Sequence, residues 1–163
     1  MTPAQVVEAS IQAWENNDAE ALAACLADDF FCVGQLPQKI DKKQFVDYMK
    51  TIMRAFPDWK FNHHILNTRD NEFVEVEVHP TGTNTGKLVI LGLPPILPTG
   101  KAITLPQQDW EYDVRGEQIV FLTTTTFDRI LGFAAILNEL GMKLPTYPQF
   151  LNPLESQSDE ETL

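Results

Sequence analysis

The chain has 163 residues, 44% of them hydrophobic, and a formal net charge of −11. That length suits one domain with a core of its own, and that apolar content excludes an intrinsically disordered chain. The acidic balance excludes a nucleic-acid partner, which needs a basic stripe, and the apolar runs are too short to span a membrane.

The N-terminal stretch "MTPAQVVEASIQAWENND" lacks a basic region followed by an apolar one, so no signal peptide is expected and the location expected is cytoplasmic. It reads instead as a helix. Thr2 can cap it, Pro3 takes the first helical position and Gln5 completes a capping box. Val7, Ile11 and Trp14 then share one face. Asp18 caps a second short helix, "AEALAACLA", and "DDFFCVGQL" reads as a strand. A third helix starts at Asp41, with Gln44 three residues on, and turns Phe45, Tyr48, Met49, Ile52 and Met53 inward before Pro57 stops it. Cys25 and Cys32 show neither zinc spacing nor a disulfide framework and read as small buried hydrophobes.

Beyond Pro57 the period changes from helical to alternating. "WKFNHHIL" and "FVEVEV" read as strands, followed by "GKLVILG", "AITLPQQDWEYDV" and "EQIVFLTTTTF". Turn material separates them: "TRDN", "HPTGTNTG", "GLPPILPTG" and "VRGE". A last helix covers about residues 129–140 and ends at Gly141. Residues 1–142 thus form one α+β domain, and residues 143–163 an acidic, partly disordered extension carrying Glu155, Asp159, Glu160 and Glu161. A bent antiparallel sheet with helices over its concave side would enclose a cone-shaped cavity suited to a ligand.

Three stretches resemble the SnoaL-like branch of the nuclear transport factor 2-like superfamily: "FPDWKF", "TGTNTGKLVILGLPPILPTGKAITLP" and "FDRILGFAAILNELG". With the order of elements they cover roughly residues 3–141, in line with a single domain. The resemblance implies a cystatin-like α+β barrel: a cone-shaped, curved antiparallel sheet with about three N-terminal helices and one C-terminal helix. It also implies a homodimer packed through the outer sheet face. The family's cyclases close a ring by an intramolecular aldol reaction without a cofactor. Relatives include ketosteroid isomerases, dehydratases, epoxide hydrolases and members with no catalytic role. In the cyclases an aspartate near the end of the last strand is the general acid/base, and that role falls on Asp128. Asn84 stands where many relatives have histidine, and Leu122 and the threonines stand where many have a polar–tryptophan pair.

Two readings compete at each candidate residue. Asp128 precedes a helical run and can serve as its N-cap, which would lower its pKa. At an apolar cavity mouth, desolvation would raise it toward a working acid/base. Alternation through "AITLPQQDWEYDV" puts Ile103, Leu105, Gln107, Asp109 and Glu111 on one face and Gln108, Trp110 and Tyr112 on the other. If the first face turns inward, Gln107 and Asp109 become pocket groups; otherwise Asp109 lies on an exposed edge or dimer surface. His63 shares a side with Trp59, Phe61 and Ile65 and is either a hydrogen-bonded core residue or a proton carrier. Trp14 and Tyr48 either pack the core or wall the cavity. Thr124 and Thr126 point the same way as Asp128, as strand formers or as hydroxyls that orient a ligand. The three histidines share no metal-ligand spacing, and no phosphate loop or dinucleotide fingerprint occurs, so neither metal nor cofactor is expected. The expected function is acid/base chemistry on a small apolar carbonyl compound. The alternative is a pocket protein that binds or dimerises without catalysis.

Overall fold

The computed structural model describes residues 1–69, 72–90, 94–126 and 132–142. Both Asp128 and the expected extension 143–163 lie outside the described residues. Four helices accompany the strands, and the architecture is the expected α+β one. Helix α1 (Pro3–Glu15) opens on the expected capping box: the Gln5 amide donates to the Thr2 hydroxyl and the Gln5 side chain returns the bond. Helix α2 (Ala19–Ala24) is capped by Asp18. Helix α3 (Lys42–Ala55) repeats the capping box with Asp41 and Gln44, and buries Phe45, Met49, Ile52 and Met53. The described part of α4 spans Gly132–Glu139. At its end Gly141 takes a φ of +75° while Met142 N–H reaches back to Leu137 O, a glycine stop of the Schellman kind. Among the described residues, no helix is long and apolar enough to cross a membrane.

The strands are β1 (Leu26–Val33), β2 (Ile40–Asp41), β3 (His64–Arg69), β4 (Phe73–Val78), β5 (Thr81–Thr83), β6 (Ala102–Thr104), β7 (Gln108–Arg115) and β8 (Gln118–Thr126). Six form one sheet in the order β2-β1-β8-β7-β4-β3, and β5 pairs with β6. The sheet is antiparallel except where β1 meets β8, which run parallel. No hairpin links these two strands, so nothing local fixes their relative direction, and the expectation of an all-antiparallel sheet misses this pair. Irregularities in register interrupt the β1–β8, β3–β4 and β7–β8 ladders, and bulges of this kind bend a sheet. Helix α1 lies against β4, β7 and β8, and α3 against β1.

Four local readings change. "WKFNHHIL" does not run as one strand, because Asn62 takes a φ of +49° and β3 begins only at His64. Thr81–Thr83, expected as turn, is a short strand. "AITLPQQDWEYDV" divides into β6 and β7 around Pro106, and among the described residues of "GKLVILG", 86–90, Leu88 makes an isolated bridge to Ile96 instead of a strand. Cys32 is buried as expected, whereas Cys25 is partly exposed.

Candidate functional site

The break around Pro106 decides which face of β7 enters the cone. Ile103 and Leu105 are buried, yet so are Gln108, Trp110, Tyr112 and Val114. Between Leu105 and Gln108 the inward parity therefore slips by one residue, and each following side chain changes face. Gln107 is exposed and Asp109 lies on the outer face beside Glu77 of β4 and Thr125 of β8. The inward placement of Gln107 and Asp109 is corrected: Gln107 is exposed, Asp109 is half-buried on the outer face of a central strand, and Gln108 takes the place inside.

His63 is also turned from the cone. Its Nε2 lies 2.7 Å from Glu8 Oε1 on α1, and the His63 side chain keeps 17% of its exposure. The left-handed turn at Asn62 swings His63 toward α1, so it pairs with a carboxylate and not with the apolar row of Trp59 and Phe61.

Two small cavities are lined by described residues of the interior. Each has a volume of about 10 Å³ measured to the centre of a water molecule, roughly the room one water needs. Trp14 and Trp110 border both and divide them. The first is walled mainly by apolar groups such as Leu26, Phe30 and Leu122, with Ser10 and Tyr112 as its polar members. The Tyr112 hydroxyl is hydrogen-bonded to Ser10, and burial pushes its pKa up.

The second cavity is more polar. Gln35, Tyr48 and Gln108 border it together with Trp59 and Ile136. The Tyr48 hydroxyl donates to Gln35 Oε1 at 3.1 Å, and Gln35 Nε2 donates to Thr124 Oγ1 at 2.8 Å. A second pair joins Trp110 Nε1 to Gln108 Oε1 at 2.9 Å. Desolvation raises the Tyr48 pKa, so the phenol stays protonated and neutral. Among the described residues, no carboxylate or imidazole borders either cavity.

Local chain geometry places this polar strip. Gly34 has a φ of +109° and packs against the Thr124 backbone so closely that a Cβ there would strike its carbonyl oxygen. Gly132 leaves the space that the Gln35 amide fills. The Gly132 and Phe133 amides donate to the carbonyls of Gly34 and Gln35, which ties α4 to the end of β1. Of the expected site residues, Tyr48 and Trp14 border cavities and Thr124 joins the strip through Gln35. Thr126 is only partly buried. Gln35 was missed: "DDFFCVGQL" reads as one strand running through it, whereas β1 ends at Val33, and the preceding glycine was the one signal of a break there.

Asn84 is fully buried and structural. Its Nδ2 donates to the carbonyls of Ala55 and Gly86, and its Oδ1 accepts from the Thr99 amide and hydroxyl. It thereby clasps the segment containing "LPTG" to the end of α3, with no side-chain capacity left for a ligand.

Among solved structures, a proposed polyketide cyclase from Xanthomonas campestris has 22% identity and a TM-score of 0.60, covering 74% of this chain and 87% of its own. IdmH, a proposed polyketide cyclase from Streptomyces antibioticus, has 20% identity and a TM-score of 0.63 over 87% of this chain and 100% of its own. A protein from Catenulispora acidiphila with a ketosteroid isomerase-like fold, solved with trimethylamine, has 16% identity and a TM-score of 0.60 over 88% and 96%. At such identities the likeness is one of fold. No curated protein matches the sequence. The SnoaL-like domain family matches residues 7–122, the stretch that holds most of α1, all of α2 and α3, Gln35 and Tyr48 of the polar strip and most of the sheet. The chain belongs to the SnoaL-like domain family.

Proposed function

We propose that this chain binds a small, largely apolar carbonyl compound inside the cone and moves a proton next to its carbonyl without a cofactor. The observation that carries the reading is the Tyr48–Gln35–Thr124 strip: neutral, mutually oriented hydrogen-bonding groups, Gln35 and Thr124 buried and Tyr48 half-buried, beside the apolar side chains of the wall. Such a wall suits a ligand that is mostly hydrocarbon with one polar end. Abstracting a proton next to a carbonyl needs a positioned base and donors that stabilise the enolate. Asp128 is the base proposed, on the family resemblance of "FD" before the last helix. The homodimer and the cytoplasmic location are proposed on the same resemblance and composition.

The test follows deuterium entering the α-positions of 2-indanone in heavy water, read by proton NMR. The expected result is catalysed exchange that Asp128→Asn lowers by about a hundredfold while 2-indanone still binds. Exchange indifferent to Asp128→Asn would remove the assignment. Binding without any catalysed exchange would support the second reading, a non-catalytic pocket protein. One observation favours that reading: the described cavity walls hold no carboxylate or imidazole.

A further inference from the structure

Trp14 and Trp59 are 4% and 3% exposed, and neither indole N–H has a hydrogen-bond acceptor among the described residues. Buried donors are nearly always partnered, so two orphans in contact require an explanation. The chain has three tryptophans, and the third shows the ordinary arrangement, Trp110 donating to Gln108. Trp14 and Trp59 stack with ring centroids 5.9 Å apart and planes 14° from parallel. Both border the second cavity, whose volume of about 10 Å³ suits a single oxygen-sized atom.

The other polar side chains of that wall are bonded to one another or to a neighbour. Tyr48 donates to Gln35, Gln35 donates to Thr124, and Gln108 accepts from Trp110. Trp14 and Trp59 add two buried indole donors without a partner, and an uncharged wall disfavours an ionised ligand. We propose that the second cavity seats one acceptor oxygen of an uncharged ligand, held by the indole N–H groups of Trp14 and Trp59. The proposal rests on the carbonyl-compound reading above and adds which end of the compound enters and which groups receive it. A ketone or ether oxygen matches these two donors. If the ligand's α-carbon loses a proton, the same donors face the oxygen on which charge develops.

The competing account is internal. Phe61 meets Trp14 edge-on, with centroids 4.6 Å apart and planes at 89°, and meets Trp59 at 6.1 Å and 78°. An indole N–H directed at that ring would be weakly satisfied without a ligand.

The experiment labels the full chain with nitrogen-15 at the indoles, giving one N–H peak for each of the three tryptophans. The peaks are assigned with single Trp→Phe variants. Two shape-matched probes are titrated: 2-indanone, and 2-methylideneindane, which replaces the oxygen by a methylene group. The expected result is a downfield shift of the Trp14 and Trp59 peaks with the ketone only, the Trp110 peak staying in place. The ketone should bind at least about fivefold more tightly than the hydrocarbon, and Trp59→Phe should remove about that factor. Equal binding and equal shifts with both probes overturn this proposal but leave the binding reading intact. Upfield indole peaks that ignore the ketone overturn it in favour of Phe61, and peaks already downfield in the free protein and unmoved by ketone overturn it in favour of a trapped water. If neither probe moves any peak, the binding reading fails and this proposal falls with it.

Discussion

The two faces of β7 are made from one short stretch of chain, yet they carry opposite chemistry. Inward, Gln108, Trp110, Tyr112 and Val114 are buried, and their polar atoms bond to other neutral groups. Outward lie Asp109, Glu111 and Asp113, opposite Glu77, Glu75 and Phe73 of β4. Carboxylates stay hydrated on the outer face, where like charges sit directly across the ladder, while the interior admits only neutral donors and acceptors. This division follows from desolvation: an unpaired buried charge costs far more than a hydrogen-bonded amide or phenol. It also places the three β7 carboxylates where they cannot act on anything inside the cone.

The largest effect should come from exchanging neighbours across that divide. Trp110 touches both cavities and packs on Trp14, Phe61 and Tyr112. Trp110→Ala should destabilise by about 3–5 kcal/mol through the cavity left behind. Glu111→Ala, one residue along, should stay within about 0.5 kcal/mol of wild type. Urea unfolding of both variants measures the contrast, and comparable losses would mean the faces are not divided as described.

A middle-sized effect tests the polar strip itself. Gln35→Leu leaves the Tyr48 hydroxyl and Thr124 without their partner and should cost about 1–3 kcal/mol. Gly132→Ala puts a methyl group where the Gln35 amide sits and must displace it. Because both changes break the same bonds, the double variant should lose clearly less than the sum of the singles. Strict additivity in a double-mutant cycle would show that Gly132 does not hold Gln35 in place.

How much of this was legible in the sequence depended on whether the cause was local. Thr2 with Gln5 and Asp41 with Gln44 gave the starts of α1 and α3 because a capping box is a matter of residues three apart. Val74, Val76 and Val78 gave β4 because a half-buried strand writes its period directly. The face of β7 was not legible. It turns on whether the chain continues through Pro106, and one residue of slip exchanges Asp109 for Gln108 inside the cone. The His63–Glu8 pair and the Gln35–Thr124 bond join residues 55 and 89 positions apart, beyond any spacing rule. The candidates Tyr48 and Trp14 were found because they sit on helical stripes; Gln35 lies on no stripe and was missed.

A smaller effect should appear on the outer face. Glu75 and Glu111 are direct cross-strand partners, and like charges so placed repel. Glu111→Lys should turn the pair attractive and stabilise by about 0.2–1 kcal/mol at low salt, with the gain fading as salt rises. Thermal unfolding at low and high ionic strength reads it; a gain that ignores salt would point to some cause other than charge.

The smallest effect lies at the surface beside the cone. Asp58 follows α3, and its Oδ1 accepts from the Thr83 amide of β5 at 2.7 Å. That backbone bond holds the carboxyl below its ordinary value of 3.8. A depressed folded-state pKa means the unfolded chain takes up the proton more readily. The contribution is therefore complete above about pH 3.8 and is lost as the pH falls through the lower, folded value. Asp58→Asn cannot titrate, so wild type should lose stability more steeply than the variant on acidification below that point, while the two run parallel near neutrality. Because Asp58 is exposed, solvent screens the bond and the divergence should be slight. Urea midpoints collected from neutral pH down to about pH 3 decide it: if the curves stay parallel throughout, the Thr83 amide is not what holds this carboxylate ionised.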